Sequence, residues 1–224
     1  MFSFKKKGKT TYSQCGEDVI IDFLMGILKI SKPTYLDIGA HDPYYLSNTA
    51  YFYERGSHGV CVEANPILND VLRHKRKRDT CLNVGVGCDQ SDGLNFYIMT
   101  APSLSTFSET QARAYEEYGT YKIKEVIKIP VIEINDLIAK HFDGAPNFLN
   151  LDVEGLDFEI LKSLDIERYR PEVFCIETLT YTENHTEKKI DEIIDYMISK
   201  NYKIYADTYI NTIFVDGNKW NARK

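Results

Sequence analysis

Apolar residues recur along this chain in two alternating rhythms. Over residues 16–29, Val19, Ile20, Phe23, Leu24, Ile27 and Leu28 fall at helical spacing, which predicts an amphipathic helix. Short β-branched and aromatic runs predict strands over 34–38, 59–63, 80–86, 147–151 and 173–176. The stretches between them predict helices: 48–55 with Gly56 as its stop, one from Pro66 into the basic segment 73–78, 156–164 and 186–200. The middle is less regular, with an extra strand at 94–99, a helix at 108–118, alternating apolar residues over 123–134 and a short helix at 135–141. Residues 202–205 and 209–215 predict a closing pair of strands. Strands alternating with helices give an α/β fold with a mainly parallel sheet covered on both faces, and the short last connection adds an antiparallel strand. Ligands of such sheets sit beyond the carboxyl ends of the strands.

Composition narrows the class. Of 224 residues, 43% are hydrophobic, which suits a packed globular chain. No apolar run reaches the ~20 residues of a membrane span, and the start MFSFKKKGK lacks the apolar stretch of a secretory signal. Residues 1–11 read as a basic tail and 12–224 as one domain. Cys15, Cys61, Cys81, Cys88 and Cys175 form no C-x-x-C pair, which argues for a reducing, cytoplasmic setting and against a structural zinc site. The net charge of −6 disfavours a nucleic-acid binder. The basic segment 73–78 reads as an exposed helix end whose cations suit the macrodipole. With the N-terminal lysines it leaves peripheral contact with an anionic membrane open. His58 and His74 read as turn and surface residues.

The strand ends carry the chemistry. The first strand runs into Asp37, Gly39 and Ala40, whose small size lets backbone approach a ligand. The second ends at Glu63, placed to accept hydrogen bonds from both hydroxyls of a ribose. After the third come Gly85, Val86 and Gly87, a flexible segment for a flat base. Asp152 and Glu154 follow the fourth strand and Glu177 the fifth. The G-x-G-x-x-G and G-x-x-x-x-G-K-[ST] fingerprints are absent, which disfavours a dinucleotide or a nucleotide phosphate. S-adenosylmethionine, with ribose and adenine but no phosphate, fits better.

At four segments the sequence resembles the FkbM-type S-adenosylmethionine-dependent methyltransferases: TYSQCGEDVIIDFL (11–24), YLDIGAHDPYYLSNT (35–49), GVCVEANP (59–66) and FLNLDVEGLDFEILKSLD (148–165). The chain departs from many members at His41 and Pro43, where those carry Asn and Gly. The resemblance implies a Rossmann-like seven-stranded sheet with an antiparallel strand near one edge. It implies methyl transfer to a hydroxyl oxygen, often of a sugar, and an association with surface-polysaccharide assembly. A small metabolite or protein acceptor, or a non-catalytic binding protein of this fold, are the alternatives.

On this reading Asp37, Gly39 and Ala40 lie along the methionine moiety, Glu63 binds ribose and Val86 offers backbone to adenine. Ser47, Asn48 and Thr49 stand near the methionine carboxylate, and Asn48 and Thr49 cap the helix they begin. Gln14 is a candidate for the same end. Asp152, Glu154, Glu177 and His185 are the candidates for the base that takes the acceptor's proton, and Asp152 also lies beside the cofactor. Asp152 and Glu177 holding a divalent cation is an alternative, with no metal assigned because no dense His/Asp cluster supports one. His41, Tyr44 and Tyr45 are candidates for acceptor contacts, as are Ser103, Ser105 and Thr106 in the hydroxyl-rich loop 101–108.

Overall fold

The computed structural model describes residues 8–117, 119–153, 155–180 and 187–223. Among the described residues, ten strands form two sheets. The larger holds β1 (Tyr35–Ile38), β2 (Gly59–Val62), β3 (Thr80–Leu82), β7 (Phe148–Leu151), β8 (Val173–Glu177), β9 (Tyr202–Asp207) and β10 (Asn211–Asp216), in the order β3-β2-β1-β7-β8-β10-β9. Its first five strands run parallel, and β10 pairs antiparallel to both β8 and β9. This is the expected mainly parallel sheet with its antiparallel addition.

Every residue of β1, β2, β7 and β10 is buried, as continuous strands between two helical layers must be. Period-two alternation sorts their side chains. Leu36, Ile38, Val60, Val62, Leu149, Leu151, Phe174 and Ile176 face α5 (Ile134–His141), α6 (Asp157–Ser163) and α7 (Asp191–Ser199). Tyr35, Cys61, Phe148, Val173, Cys175 and Ile213 face α1 (Glu17–Ile27) and α2 (Ala50–Glu54). Asp37 shares the second face with Tyr35, which sets its carboxylate against the start of α2.

A second sheet of β4 (Gly85–Gly87), β6 (Ile123–Glu133) and β5 (Ser91–Met99) stands after β3. The single strand expected over 80–86 is therefore two. Asn83 divides them: its Nδ2 donates to the carbonyls of Glu63 and Ala64 at 2.9 and 2.8 Å, and the chain turns off to pair β4 with β6. Gly85–Gly87 is thus strand, not a flexible segment, and Phe107 occupies the face that Gly85 leaves bare.

Other boundaries move for local reasons. α7 starts at Asp191 because Lys189 still bridges to Leu179; residue 186, where that helix was expected to begin, and residue 118 lie outside the described residues. A 3₁₀ turn over Pro102–Leu104 precedes α4 (Glu109–Glu117), and α8 (Gly217–Ala222) follows β10. The expected capping of α2 by Asn48 and Thr49 is replaced by Ser47, whose Oγ accepts from Ala50 N at 3.2 Å.

α3 (Pro66–Lys75) begins as expected, with Pro66 in its first turn and Asn65 Oδ1 accepting from Ile67 N. Its end corrects the reading of 73–78 as solvated. Arg76 is 1% exposed and its Nε donates to the equally buried Asp79 carboxylate at 2.9 Å. Its Nη1 donates to Pro43 O, and its Nη2 to Tyr35 Oη and Thr49 Oγ1, each at 3.0 Å. Four partners from β1, the 40–47 loop, the N-terminal end of α2 and the turn before β3 thus meet one guanidinium. Among the described residues, no helix is long and apolar enough to cross a membrane.

Candidate active site

A cavity of about 410 Å³ opens at the carboxyl ends of β1, β2, β7 and β8, with β4 and the loop after β5 closing one side. Its floor is a chain of buried polar groups. Asp37 accepts from Thr49 Oγ1 at 2.5 Å and from Asn150 Nδ2 at 2.9 Å. Asn150 Oδ1 in turn accepts from Asn48 Nδ2 at 2.8 Å. Burial pushes the Asp37 carboxyl up, against the pull of Thr49 and the Arg76 guanidinium. Thr49 itself lines no part of the cavity; it links Arg76 to Asp37 from behind.

Glu63 forms the second acidic position. Its two carboxylate oxygens accept from His41 N at 2.9 Å and Asn65 N at 2.7 Å. A carboxylate has about four acceptor sites, so capacity remains on its cavity side. Burial dominates and holds its pKa up at about 7. His41 takes a left-handed backbone (φ 49°) that aims its N–H at Glu63, and burial pushes its imidazole down.

Gly39 lines the cavity and is also packed closely by the chain beyond β7. Its φ is +84°, and a Cβ there would stand 1.8 Å from Asp152 O, so the residue is small because β7 passes against it.

Asp152 and Glu177 extend the neighbouring strands β7 and β8, whose register pairs Leu151 with Ile176. Both line the cavity. Burial, then repulsion from Asp157 and Asp37, raises the Asp152 pKa to about 7, against the influence of Glu177. At neutral pH the Asp152 carboxyl is thus divided between its protonated and ionised forms.

The remaining wall is mixed. Val86, Phe96 and Phe107 give it an apolar side, with the two rings 4.8 Å apart. Gln14, Ser103, Ser105, Thr106, Thr180 and Asn211 give it hydroxyls and amides. Ser105 Oγ and Thr106 Oγ1 also accept from the backbone N–H groups of Met99 and Ser108, which fixes the loop that carries them. No lysine or arginine is among the described lining residues. Nor is any group of three or more His, Cys, Asp or Glu gathered among them to hold a metal ion.

Most of the anticipated residues therefore come together: Gln14, Asp37, Gly39, Ala40, His41, Ser47, Asn48, Glu63, Val86, Ser103, Ser105, Thr106, Asp152 and Glu177 all line one cavity. Tyr44 and Tyr45 do not: Tyr44 packs on the Tyr12 ring at 5.9 Å, and Tyr45 is exposed. Glu154 and His185 lie outside the described residues. Asn150 and Asn211 were missed. An amide inside the apolar run NFLNL is the signal that exposes Asn150, since a buried polar group needs partners. Asn211 is anchored through Nδ2 to Glu17 Oε1 at 3.1 Å, a contact across the whole chain length that no local pattern reveals.

A parallel sheet in this order, with its cavity at the switch between β1 and β7, defines a Rossmann-like α/β fold of the kind methyltransferases use. The chain belongs to the methyltransferase FkbM domain family, whose profile matches residues 37–204. Among solved structures it is similar to the methyltransferase FkbM of Methylobacillus flagellatus KT, at 17% identity and a TM-score of 0.51 over 83% of this chain and 44% of that one. The chain thus spans less than half the length of that relative. It is also similar to a Staphylococcus aureus protein provisionally assigned as a caffeoyl-CoA O-methyltransferase, at 10% identity and a TM-score of 0.47 over 92% of this chain and 85% of that one. No curated protein matches.

Proposed function

We propose that the protein is an S-adenosylmethionine-dependent O-methyltransferase acting on a hydroxyl of a sugar-type acceptor, in surface-polysaccharide synthesis. The observation that carries this is the buried Asp152 carboxyl, beside Glu177 on the cavity wall. A carboxyl poised at about 7 takes a proton from an aligned hydroxyl at neutral pH, which typically contributes about 10²–10⁴ in rate.

The donor fits the groups present. Spare acceptor capacity on Glu63 suits a ribose diol. Val86 with Phe96 and Phe107 suits a flat base, and a lining of carboxylates without described cations suits a positively charged ligand that lacks phosphate. When bound, the donor supplies an electrophilic methyl group on a sulfonium. The volume lies within the ~300–1,000 Å³ of small-molecule sites. Gln14, Ser103, Thr180 and Asn211 offer the neutral hydrogen bonding that a polyol needs, and orienting it contributes as well.

Calorimetry with S-adenosylhomocysteine is the first test: binding is expected, and its absence rejects the proposal. Glu63→Gln is expected to weaken binding about tenfold, the cost of one charged hydrogen bond; unchanged affinity removes Glu63 from the ribose role. Asp152→Asn is expected to keep product binding yet abolish the added methyl mass on surface glycan from cells carrying it.

A further inference from the structure

β2 and β3 place two thiols side by side. Cys61 and Cys81 are register partners on these adjacent parallel strands, so their side chains leave the same face of the sheet. The Cys61 thiol donates to Asp79 Oδ2 at 3.6 Å. Cys61 is buried, while Cys81, on the outermost strand, is half-buried and reachable from solvent. Neighbouring strands stand about 4.8 Å apart, inside the ~4.4–6.8 Å range of Cα separations that a disulfide spans. The other three cysteines have no such neighbour in register: Cys15 and Cys88 are exposed in loops, and Cys175 is buried in β8.

We propose that Cys61 and Cys81 are an oxidation site, closed by hydroperoxides to a reversible disulfide that ties β2 to β3 and weakens the nucleoside end of the cavity. Cys81 reacts first. It is the less buried of the two, and the adjoining Cys61 thiol, then the Arg76 and Arg73 cations, lower its pKa against burial and the Asp79 charge, while Cys61 is held up as the protonated partner. The Cys81 sulfur takes one oxygen of the peroxide to give a sulfenic acid and releases water or an alcohol. The Cys61 sulfur then displaces water from Cys81, so that two thiols lose two hydrogens and the peroxide gains the two electrons. A bond between strand neighbours pinches the sheet, which is the mark of a reducible, regulatory disulfide.

The consequence for the cavity follows from position. Glu63 lies two residues beyond Cys61 and Asn83 two beyond Cys81, and the Asn83 side chain donates to Glu63 O and Ala64 O. Drawing the strands together at Cys61–Cys81 shifts this pair relative to the backbone N–H groups that hold the Glu63 carboxylate. This second part rests on the nucleoside reading of the cavity; the disulfide itself does not.

The test treats the whole chain with hydrogen peroxide, blocks free thiols and maps peptides without reductant. Expected is a Cys61–Cys81 link, lighter by two hydrogens, that dithiothreitol reverses and Cys81→Ser prevents. Free Cys61 and Cys81 after treatment, or Cys81 held only in links between chains, overturns the proposal. S-adenosylhomocysteine affinity is then compared in the two redox states. A fall of about tenfold, matching the loss of one charged hydrogen bond, is expected on oxidation. Equal affinity in the linked form overturns the coupling, whereas no binding in either form counts against the nucleoside cavity and leaves the mapped disulfide standing.

Discussion

Gly39 and Gly16 both adopt left-handed backbone, at φ +84° and +91°, yet their surroundings differ. Around Gly16 nothing stands within 4 Å of an added Cβ, whereas at Gly39 the Asp152 carbonyl would be 1.8 Å away. Gly16→Ala is therefore expected to cost only the left-handed penalty of about 1–2 kcal/mol. Gly39→Ala must also push β7 off β1 and is expected to exceed about 4 kcal/mol, at the rare end of single substitutions. Urea unfolding of both variants checks this ranking, and equal costs would show that β7 yields at Asp152. The contrast marks what residue patterns reveal. D-x-G after a strand correctly locates the cavity, because the motif names the place where the chain leaves the sheet. It does not reveal the second reason for the glycine, because the atom that needs the space belongs to residue 152. Asn150 and Asp37 meet for the same kind of reason, across adjacent strands, with the amide donating to a carboxyl that burial pushes up.

Elements built on continuous apolar runs were legible: β1, β2, β7 and β8 stand where their runs stand, and α1 where its stripe does. Elements whose ends depend on distant side chains were not. Local alternation cannot divide 80–86 into strands of two sheets, since the division is made by Asn83 reaching back to the end of β2. Nor can a basic run reveal that its fourth member is buried. Arg76 follows the last residue of α3, and its guanidinium joins Asp79, Tyr35, Thr49 and the Pro43 carbonyl, so α3, β1, α2 and the 40–47 loop share one fastening. Lysine keeps the charge but not the planar fork of donors. Arg76→Lys is expected to cost about 3–5 kcal/mol, because Asp79 remains buried with its partnership broken. It is also expected to speed amide exchange in the 40–47 loop, which loses its tether at Pro43 O. Urea denaturation with hydrogen exchange reads both, and a variant as stable as the wild type would mean that the network stores no free energy.

At the scale of the molecule, the sheet gathers buried carboxyl groups at its carboxyl end, and this sets how stability depends on pH. Burial raises Asp37, Glu63, Asp152 and Asp157, with Glu63 and Asp152 reaching about 7 from ordinary values of 4.5 and 3.8. Within that window the unfolded chain has released protons that the folded chain retains. Raising the pH through it therefore favours unfolding. Glu17 and Asp207 act oppositely: partners hold them below 4.5 and 3.8, so their contribution is lost only when the pH falls through those lower values. The free protein is thus expected to be most stable near the lower edge of that window, at about pH 4.5, with a higher urea midpoint near pH 5.5 than near pH 8. A nucleoside diol that hydrogen-bonds ionised Glu63 reverses the order of need. At 100 times its Kd a ligand adds about 2.7 kcal/mol, and its affinity is expected to weaken as Glu63 protonates below about 7. S-adenosylhomocysteine at one fixed concentration is therefore expected to stabilise the chain more near pH 8 than near pH 5.5. A free-protein midpoint that rises toward pH 8 would mean that the carboxylates are better solvated than their burial implies. Equal stabilisation by the ligand at both pH values would mean that Glu63 is not its partner.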